Sequence, residues 1–545
     1  MQRFVLFLIA LAVSGNVYAD AQRLLNYSGD NDSLKTAPIS WWLLDPENDH
    51  VPGISTGMAY EFLKGRPSQT VVVAVIDSGI DIDHEDLKEV IWTNNDEIAG
   101  NGIDDDNNGY IDDVHGWNFL GGKDGANIEF DSYELTREYV RLQVKYQEMT
   151  EAQQQADAEW AYFNKIQKEY NNTVEKMEGQ FARFKEFYDQ YQKAERLLKA
   201  YTELEELNKE DLTSWDSPDD KITLARDIVL TAFDNGLDSE QMEKGYEYFT
   251  TALNYGYNQE FNPRYVIGDN IDDPYEKIYG NNDVKGAFAF HGTHVAGIIA
   301  ANRMNGIGVD GVANNVRIMV VRAVPNGDER DKDVANAIIY AVDNGAQIIN
   351  MSFGKRFSPD KEVVDKAVRY AESKGVLLIH AAGNSAHDTQ EIMQYPSKTM
   401  ASTGTNVNNW LEVGAVSWKG QEELVATFSN FGKTTVDIFA PGVDIKSTAP
   451  DQDYQTASGT SMAAPVTTGV AALLMSYFPG LSAEEIKNII LKSAVSYRSQ
   501  KVNVPGKEKQ EKFGNLSQTG GVVNAYRAVK LAQKSSPKGK KLIRD

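Results

Sequence analysis

The chain contains no cysteine in its 545 residues. Disulfide bonds, thiolate catalysis, cysteine-rich zinc sites and a lipid anchor on an amino-terminal cysteine are therefore excluded. The stability of such a chain has to come from the size of its core and from any metal it binds. Its length allows a large core and a second lobe, because single cores stop growing at about 250 to 300 residues.

Basic residues are scarce relative to acidic ones. The chain has 54 lysines and arginines against 79 aspartates and glutamates, and its net charge at pH 7 is -25. An acidic protein surface repels a polyphosphate backbone. We therefore do not expect nucleic acid as a partner.

Long apolar segments are also missing. Beyond the amino terminus, no stretch approaches the roughly 20 apolar residues that a membrane helix needs. Residues 1–19 combine a basic start, a short apolar centre and a small-residue end, which is the pattern of a secretory signal peptide. We expect an exported protein, periplasmic or extracellular, with a polar mobile leader over residues 20–40.

What the chain does contain is a repeated alternation of strand and helix patterns. Apolar β-branched runs predict buried strands, and each amphipathic segment between them predicts a helix. The predicted strands cover residues 70–76, 317–322, 346–352 and 376–381, and the predicted helices cover residues 331–344 and 361–374. This alternation predicts an α/β fold with a parallel sheet flanked by helices and a site at the carboxyl ends of its strands.

A segment of different amino-acid composition separates the first predicted strand from the others. Residues 131–280 are rich in Glu, Lys, Gln and Ala, with aromatic residues at helical spacing. We predict a large, mainly α-helical insertion with one or two long helices, arranged as a long hairpin that folds back near Asn171. Its aromatic stripe is typical of a seam between packed helices. Partner binding, self-association or control of substrate access remains open.

Three short segments carry the residue types of an activated serine nucleophile. Asp77 follows the first strand, His291 opens His-Gly-Thr-His, and Ser461 lies in Ser-Gly-Thr-Ser-Met-Ala-Ala-Pro. A serine hydroxyl is nearly inert unless an imidazole takes its proton, and a carboxylate fixes the tautomer of that imidazole. Each residue alone also suits a turn or a helix cap. The three together predict a catalytic triad.

These segments, in the order aspartate, histidine, serine, closely resemble those of the subtilisin-like serine proteases (subtilases, peptidase family S8). The resemblance implies a subtilisin-like peptidase domain over residues 41–130 and 281–534. The insertion over residues 131–280 interrupts this domain, and a basic tail over residues 535–545 follows it.

The resemblance also implies roles for residues around the triad. Asn384, in His-Ala-Ala-Gly-Asn-Ser, would donate to the oxyanion together with the backbone N–H of Ser461. Ser352, Phe353 and Gly354 would bind the substrate backbone and line the pocket for the residue before the cut. His294 lies three residues after His291, and zinc motifs on helices place histidines four apart. We therefore interpret His294 as a packed helix histidine.

An acidic segment between the first strand and the insertion suggests a metal site. Oxygen-bearing side chains surround one glycine, Gly109, but the twelfth position is His115, where a hand-type calcium loop needs glutamate. Subtilisin-like enzymes commonly carry calcium in surface loops, so we expect structural calcium here, with a solvated acidic turn as the alternative. No organic cofactor is expected. The expected ligands are Asp104, Asp106, Asn108, Asp112 and Asp113.

The sequence therefore predicts a secreted serine endopeptidase that acts on polypeptides through an acyl-enzyme on Ser461. Two alternatives stay open. One is a catalytically silent or regulatory homologue that binds a partner through the helical insertion. The other is an acyl-transferring peptide ligase that uses the same intermediate.

Overall fold

A computed structural model describes residues 36–215 and 217–535. The predicted signal peptide, most of the predicted leader and all but the first residue of the predicted tail lie outside the described residues.

The α-helices are α1 Thr56–Leu63, α2 Glu134–Tyr146, α3 Glu151–Ala156, α4 Trp160–Thr202, α5 Lys209–Ser214, α6 Asp220–Asp234, α7 Ser239–Thr251, α8 Phe290–Ala300, α9 Asp331–Asp343, α10 Lys361–Ser373, α11 Thr460–Tyr477, α12 Ala483–Ser493 and α13 Ala525–Ser535. The strands are β1 Val71–Asp77, β2 Gly116–Asn118, β3 Val316–Arg322, β4 Ile348–Met351, β5 Leu377–Ala381, β6 Trp410–Val416, β7 Ile438–Pro441, β8 Ile445–Ala449, β9 Asp453–Ala457, β10 Val495–Ser496, β11 Lys501–Asn503, β12 Gln510–Lys512 and β13 Gly521–Val522.

A nine-stranded sheet organises the larger part of the chain, in the order β10-β13-β7-β6-β5-β4-β1-β3-β2. Every neighbouring pair is parallel except β10 with β13. β1 pairs with both β3 and β4, so the strand that ends at Asp77 lies inside the sheet. The predicted α/β fold is confirmed.

Around β1, the two faces of the sheet belong to two hydrophobic cores. Side chains alternate along a strand, so Val73 and Val75 of β1 enter one core while Ala74 and Ile76 enter the other. The first core contains residues of α8 and α11, and the second contains residues of α9 and α10. Helices therefore cover both faces of the parallel sheet, as its apolar strands require.

Residues Leu135–Phe261 form a second compact unit, which is helical. The prediction that the chain folds back near Asn171 is wrong, because α4 runs unbroken from Trp160 to Thr202. The reversal lies earlier, between α2 and α4, where Tyr139 stacks on Tyr170 at 4.4 Å between ring centroids. Asn171 faces solvent, and asparagine inside a helix costs only about 0.7 kcal/mol relative to alanine.

The helical unit ends before the predicted insertion does. Residues from Asn262 onward belong to the larger unit. Arg264 explains this, because its buried guanidinium forms ion pairs with Asp269 at 2.7 Å and Asp333 at 2.6 Å. Tyr279 donates to the same Asp333 at 2.6 Å. These contacts anchor residues 264–279 to α9.

The helices of residues 36–215 and 217–535 include none that is both long enough and apolar enough to span a membrane.

Candidate active site

Asp77 and His291 form a hydrogen-bonded pair at the carboxyl end of β1. Asp77 is the last residue of that strand and is 2% exposed, and His291 is the second residue of α8. The Nδ1 atom of His291 lies 2.7 Å from the Oδ1 atom of Asp77, which also accepts the Ser78 N–H at 2.8 Å. An ionised carboxylate only accepts hydrogen bonds, so Nδ1 carries the proton and Nε2 is left as the basic nitrogen.

The charge of Asp77 also sets the proton affinity of this ring. Burial by itself lowers the pKa of His291, but the Asp77 charge and the hydrogen bond outweigh burial and raise the pKa above its usual 6.5. The ring remains 32% exposed, so it can be reached from solvent. A base with a raised pKa suits proton transfer near neutral pH.

Ser461 lies at the amino end of α11, the helix that begins at Thr460. Its hydroxyl donates to the backbone oxygen of Ser352 at 3.0 Å, and the Ser352 hydroxyl donates to the backbone oxygen of Ser461 at 3.0 Å. The two serines are therefore tied together across the ends of β4 and α11. A hydroxyl at a helix amino end faces free N–H groups and a favourable dipole for negative charge.

The side chain of Asn384 is held in one orientation. Its Oδ1 atom accepts from the Thr460 N–H at 2.9 Å and from the Thr460 hydroxyl at 2.8 Å. The Nδ2 atom is turned to the other side, where an ideal Cβ on Gly459 would lie 3.4 Å from it and 3.5 Å from the backbone nitrogen of Ser461. Two N–H donors thus flank one point beside Ser461, which suits an anion.

The predicted substrate-binding residues follow β4 directly. Ser352 reaches Ser461 as described, and its hydroxyl accepts from Asn350 Nδ2 at 3.0 Å. Phe353 packs on the ring of His380 with 6.4 Å between ring centroids, and Gly354 follows it. No role was predicted for Thr460 or His380. The Gly-Thr-Ser sequence that ends at Ser461 was the available signal for Thr460.

His294 and a further histidine, His84, are structural. His294 is fully buried, its Nε2 lies 3.0 Å from the backbone oxygen of Gln455, and burial lowers its pKa to about 4. His84 is also fully buried, and its Nε2 lies 3.0 Å from the backbone oxygen of Asp453. A neutral His294 ring held by a backbone group agrees with the interpretation of this residue as a packed histidine.

The acidic loop brings together a carboxylate set that differs from the predicted one. One carboxylate oxygen from each of Glu97, Asp106 and Asp113 lies within 4.8 Å of the others. Two ligands on one calcium ion, each at 2.3–2.6 Å, fit this separation. Asp113 is fully buried, and burial raises its pKa. Glu97 was missed because it lies seven residues before the acidic run.

The other predicted ligands of this loop form hydrogen bonds within the loop. Both carboxylate oxygens of Asp104 accept backbone N–H groups, from Asn108 at 3.0 Å and Gly109 at 2.8 Å. Those of Asp112 accept from the backbone of Asn101 at 3.1 Å and Gly102 at 2.8 Å. Asn108 donates through Nδ2 to Asp106 at 3.0 Å and to Asp113 at 3.2 Å.

Comparisons with known proteins identify the family of this chain. The sequence model of the subtilase family matches residues 68–520. A thermophilic serine proteinase from Bacillus sp. (strain AK1) is 38% identical over 262 residues, which cover 48% of this chain and 55% of that protein. Thermitase from Thermoactinomyces vulgaris is 35% identical over 240 residues, which cover 44% of this chain and 74% of thermitase.

Two further similarities are more partial. The halolysin-like extracellular serine protease Nep of Natrialba magadii is 34% identical over 270 residues, which cover 49% of this chain and 44% of Nep. This chain therefore spans about half the length of the AK1 and Nep proteins that it matches. Among solved structures, the protease domain of PatA aligns with a TM-score of 0.37 and 29% identity, over 46% of this chain and 83% of that one.

Proposed function

Because the chain belongs to the subtilase family, we propose that it is a serine endopeptidase that hydrolyses polypeptides through an acyl-enzyme on Ser461. The observation that carries the proposal is the 2.7 Å pair between Asp77 and His291, which leaves a basic Nε2 at the sheet edge where Ser461 also lies. A carboxylate, an imidazole and a hydroxyl in this arrangement make a nucleophile at neutral pH.

In the proposed reaction the Ser461 hydroxyl turns from the Ser352 oxygen to His291 and gives its proton to Nε2 as Oγ attacks the peptide carbonyl. Asp77 stabilises the imidazolium that forms. The oxyanion accepts from Asn384 Nδ2 and from the Ser461 N–H, the two donors that flank one point beside Gly459. His291 then returns the proton to the leaving amine, and a water molecule repeats the sequence to release the acyl group.

A fluorophosphonate probe tests the proposal and its two alternatives. The active enzyme should be labelled at Ser461 and should cleave a peptide library, and Ser461→Ala should do neither. A catalytically silent homologue would resist the probe and would cleave nothing. A peptide ligase would be labelled but would transfer the acyl group to an added amine in preference to water. Labelling with hydrolysis therefore supports the endopeptidase alone.

We also propose that the protein acts outside the cytoplasm. The pattern of residues 1–19 and the extracellular relative Nep support this proposal. Fractionation of cells that express the full chain tests it. Recovery in the periplasm or the medium, with cleavage near Asp20, is expected, and retention of the uncleaved chain in the cytoplasm would contradict it.

Structural calcium in the acidic loop stays a proposal, now with Glu97, Asp106 and Asp113 as its carboxylate ligands. Their separation suits calcium, and so do hard oxygen donors. A bound cation would also offset the cost of the buried Asp113 carboxylate, which its raised pKa reflects. Asn94 and Asn108 now donate to the same carboxylates, and their amide oxygens would have to turn toward an ion. The function of the bound ion would be to hold the loop.

The proposed role of the helical insertion is to bind a basic polypeptide. Leu197, Tyr201 and Leu204 form an exposed ridge at the end of α4, with exposures of 41%, 51% and 40%. The sequence that follows the helix, residues 203–220, contains eight acidic residues and one lysine. That lysine, Lys209, is paired with Asp234 at 2.8 Å. An apolar ridge beside uncompensated negative charge complements an amphipathic segment rich in Lys and Arg.

Peptide binding to a protein that lacks the proposed nucleophile tests this role of the insertion, because the peptide is not cleaved during the measurement. In the Ser461→Ala protein, the double variant Glu205→Lys/Glu206→Lys should weaken binding of a lysine-rich amphipathic peptide by about tenfold at low salt. Glu175→Lys/Glu178→Lys makes the same charge change on an exposed face of α4 and should leave binding unaltered. Equal effects of both pairs, or concentration-dependent dimerisation through the ridge, would contradict the proposal.

A further inference from the structure

Arg322 carries a buried charge at the end of the strand beside β1. It is the last residue of β3, it is 1% exposed, and it is the partner of Asp77 in the parallel register of β1 and β3. Two residues earlier on these strands, Val75 and Val320 both lie in the core that contains residues of α8. Because side chains alternate along a strand, Asp77 and Arg322 both lie on the face of the sheet that α8 covers.

The charge of Arg322 is only partly compensated. Its Nη2 atom donates to Glu129 Oε2 at 2.9 Å, whereas the buried Nη1 atom has no hydrogen-bond partner among the residues that the structure describes. Burial lowers the pKa of Arg322 more than the charges of Glu129 and Asp283 raise it. Replacing a buried ion pair by apolar side chains is often neutral or stabilising. A buried cation that adds so little stability is typical of a functional position.

The guanidinium of Arg322 holds the residue that follows Asp77. Its Nε atom donates to the backbone oxygen of Ser78 at 2.9 Å. The backbone N–H of Ser78 donates to Asp77 Oδ1 at 2.8 Å, and the same oxygen lies 2.7 Å from His291 Nδ1. Ser78 is therefore bound to Arg322 through its carbonyl and to the Asp77 carboxylate through its N–H.

The same guanidinium lies against the segment that leads into α8. An ideal Cβ on Gly286 would overlap the Cζ atom of Arg322, so only a glycine allows this close approach. The Ser78 hydroxyl donates to the backbone oxygen of Phe288 at 2.7 Å, two residues before α8 begins. His291 is the second residue of that helix. A shift of residues 286–288 would therefore move the imidazole.

A third segment completes the surroundings of the guanidinium. Besides its bond to Glu129, Nη2 donates to the backbone oxygen of Ile128 at 3.3 Å. The next residue, Phe130, packs edge-on against the ring of Phe288 with 5.2 Å between ring centroids. Arg322 therefore lies where residues 128–130, residues 286–288 and the segment after Asp77 meet.

We propose that Arg322 is a positioning residue for the pair of Asp77 and His291. Its guanidinium sets the separation between the segment that carries Asp77 and the segment that leads to His291, and so maintains the hydrogen bond between them. It acts through Ser78 and the backbone near Gly286, and it takes no part in the chemical steps. The effect on turnover rests on the proposed endopeptidase function, whereas the effect on the hydrogen bond does not.

The pKa of the His291 ring tests the proposal, because the charge and hydrogen bond of Asp77 raise it. In a Ser461→Ala background, Arg322→Met should loosen this contact and lower the midpoint of the His291 titration measured by proton NMR. Loss of the Arg322 charge alone would have the opposite sign, since removal of a nearby cation raises the pKa of a histidine. In the active enzyme, Arg322→Met should lower kcat by at least about tenfold and leave KM nearly unchanged.

Arg317→Met is the matched control for this change. Arg317 lies on the same strand, but it is exposed and donates to the backbone oxygen of Val316 at 3.0 Å. The control should keep the midpoint and the kcat of the parent. A midpoint that rises or stays unchanged in folded Arg322→Met protein overturns the proposal. A lower unfolding temperature without a change in midpoint or kcat also overturns it, because Arg322 would then be structural only.

A second pair of variants tests the same contact without changing any charge. Gly286→Ala places a methyl group on the guanidinium, and it should lower both the His291 midpoint and kcat. Gly375→Ala imposes a similar left-handed backbone strain, with φ of 73° against 61° at Gly286, but its Cβ would meet no other group within 4 Å among the described residues. It should leave both quantities unaltered.

This pair decides the question if Arg322→Met does not fold. Equal effects of the two alanine variants, or no effect of Gly286→Ala, would overturn the proposal. Failure of the fluorophosphonate probe to label Ser461 in the parent would remove the proposed function. The His291 midpoint would still test the role of Arg322, so the two failures are distinguishable.

Discussion

The side-chain oxygen of Asn384 accepts two hydrogen bonds from Thr460, one from its backbone N–H and one from its hydroxyl. This double contact fixes which end of the amide faces the nucleophile. With Oδ1 held, the Nδ2 donor lies on the same side as the backbone nitrogen of Ser461. Thr460 is therefore a positioning residue for the proposed oxyanion donor.

Asn384→Ala should reduce kcat by about 100- to 1,000-fold and leave KM nearly unchanged, because the lost hydrogen bond forms only as the oxyanion develops. The magnitude is the one measured for such a donor in a subtilisin. Steady-state kinetics on one peptide substrate measures both constants. Ser385→Ala, at the next residue, should resemble the parent enzyme. A fall in kcat below tenfold, or an effect on KM alone, would contradict the assignment.

The loss of activity at low pH should reflect protonation of His291. Its pKa is raised above 6.5 by the Asp77 charge against the opposing effect of burial, so kcat/KM should rise with pH through a midpoint above 6.5. Asp77→Asn removes the charge and leaves burial, so the ring should titrate at lower pH. Proton NMR of the His291 ring in a Ser461→Ala background measures this shift. A midpoint unaffected by Asp77→Asn would contradict the pairing.

The same pair gives a stability prediction of definite sign. A pKa raised in the folded state means that folding favours the protonated ring, so the pair stabilises the protein fully below pH 6.5. This contribution is lost as pH rises through the higher folded-state pKa. The difference in urea midpoint between the parent and His291→Ala should therefore be larger at pH 5.5 than at pH 8.5. An equal difference at both pH values would count against the raised pKa.

Arg264→Ala should destabilise the larger unit by about 3–5 kcal/mol, because it leaves the buried carboxylate of Asp333 without its cation and leaves Asp269 with Lys332 alone. Urea unfolding measures the loss. Arg369→Ala is the matched control, since Arg369 is 44% exposed and pairs with Glu372, also on α10. It should cost at most about 0.5 kcal/mol. Similar losses for both variants would contradict the anchoring role of Arg264.

Calcium should raise the unfolding temperature of the protein, and Asp106→Ala should abolish the increase. Binding to the folded state alone stabilises it by mass action, by about 2.7 kcal/mol at a free calcium concentration 100 times the Kd. Asp96→Ala removes an exposed carboxylate near the loop and should keep the response. If neither the parent nor the variants respond to calcium or to a chelator, the loop is a solvated acidic turn.

Much of the site could be predicted from the sequence because its residues lie in short segments at the ends of strands. Asp77 ends the apolar run of β1, and Ser461 precedes the run of small apolar residues that forms α11. Parallel strands bring their carboxyl ends to one edge, so separate segments converge without any detailed knowledge of packing. The helix and strand ranges around the sheet follow from the same periodicity.

Side-chain convergence across loops could not be predicted in this way. Glu97 joins Asp106 and Asp113 only because the chain between them turns back on itself, and its spacing carries no motif. The continuity of α4 did have a signal. Apolar residues recur every seven positions through the two asparagines, and all of these residues are buried: Phe163, Tyr170, Met177, Phe184, Tyr191 and Leu198. A heptad of buried residues outweighs two weak helix formers on the exposed face.

The central claim is that an acyl-enzyme forms on Ser461. Its most direct test is to measure the mass of the protein during turnover of an activated ester. The claim predicts a rapid burst of one equivalent of product and an acyl group on the peptide that contains Ser461. It also predicts that Ser461→Ala and His291→Ala both lose the burst. Product release without a burst and without an acylated Ser461, or an undiminished burst in His291→Ala, would contradict it.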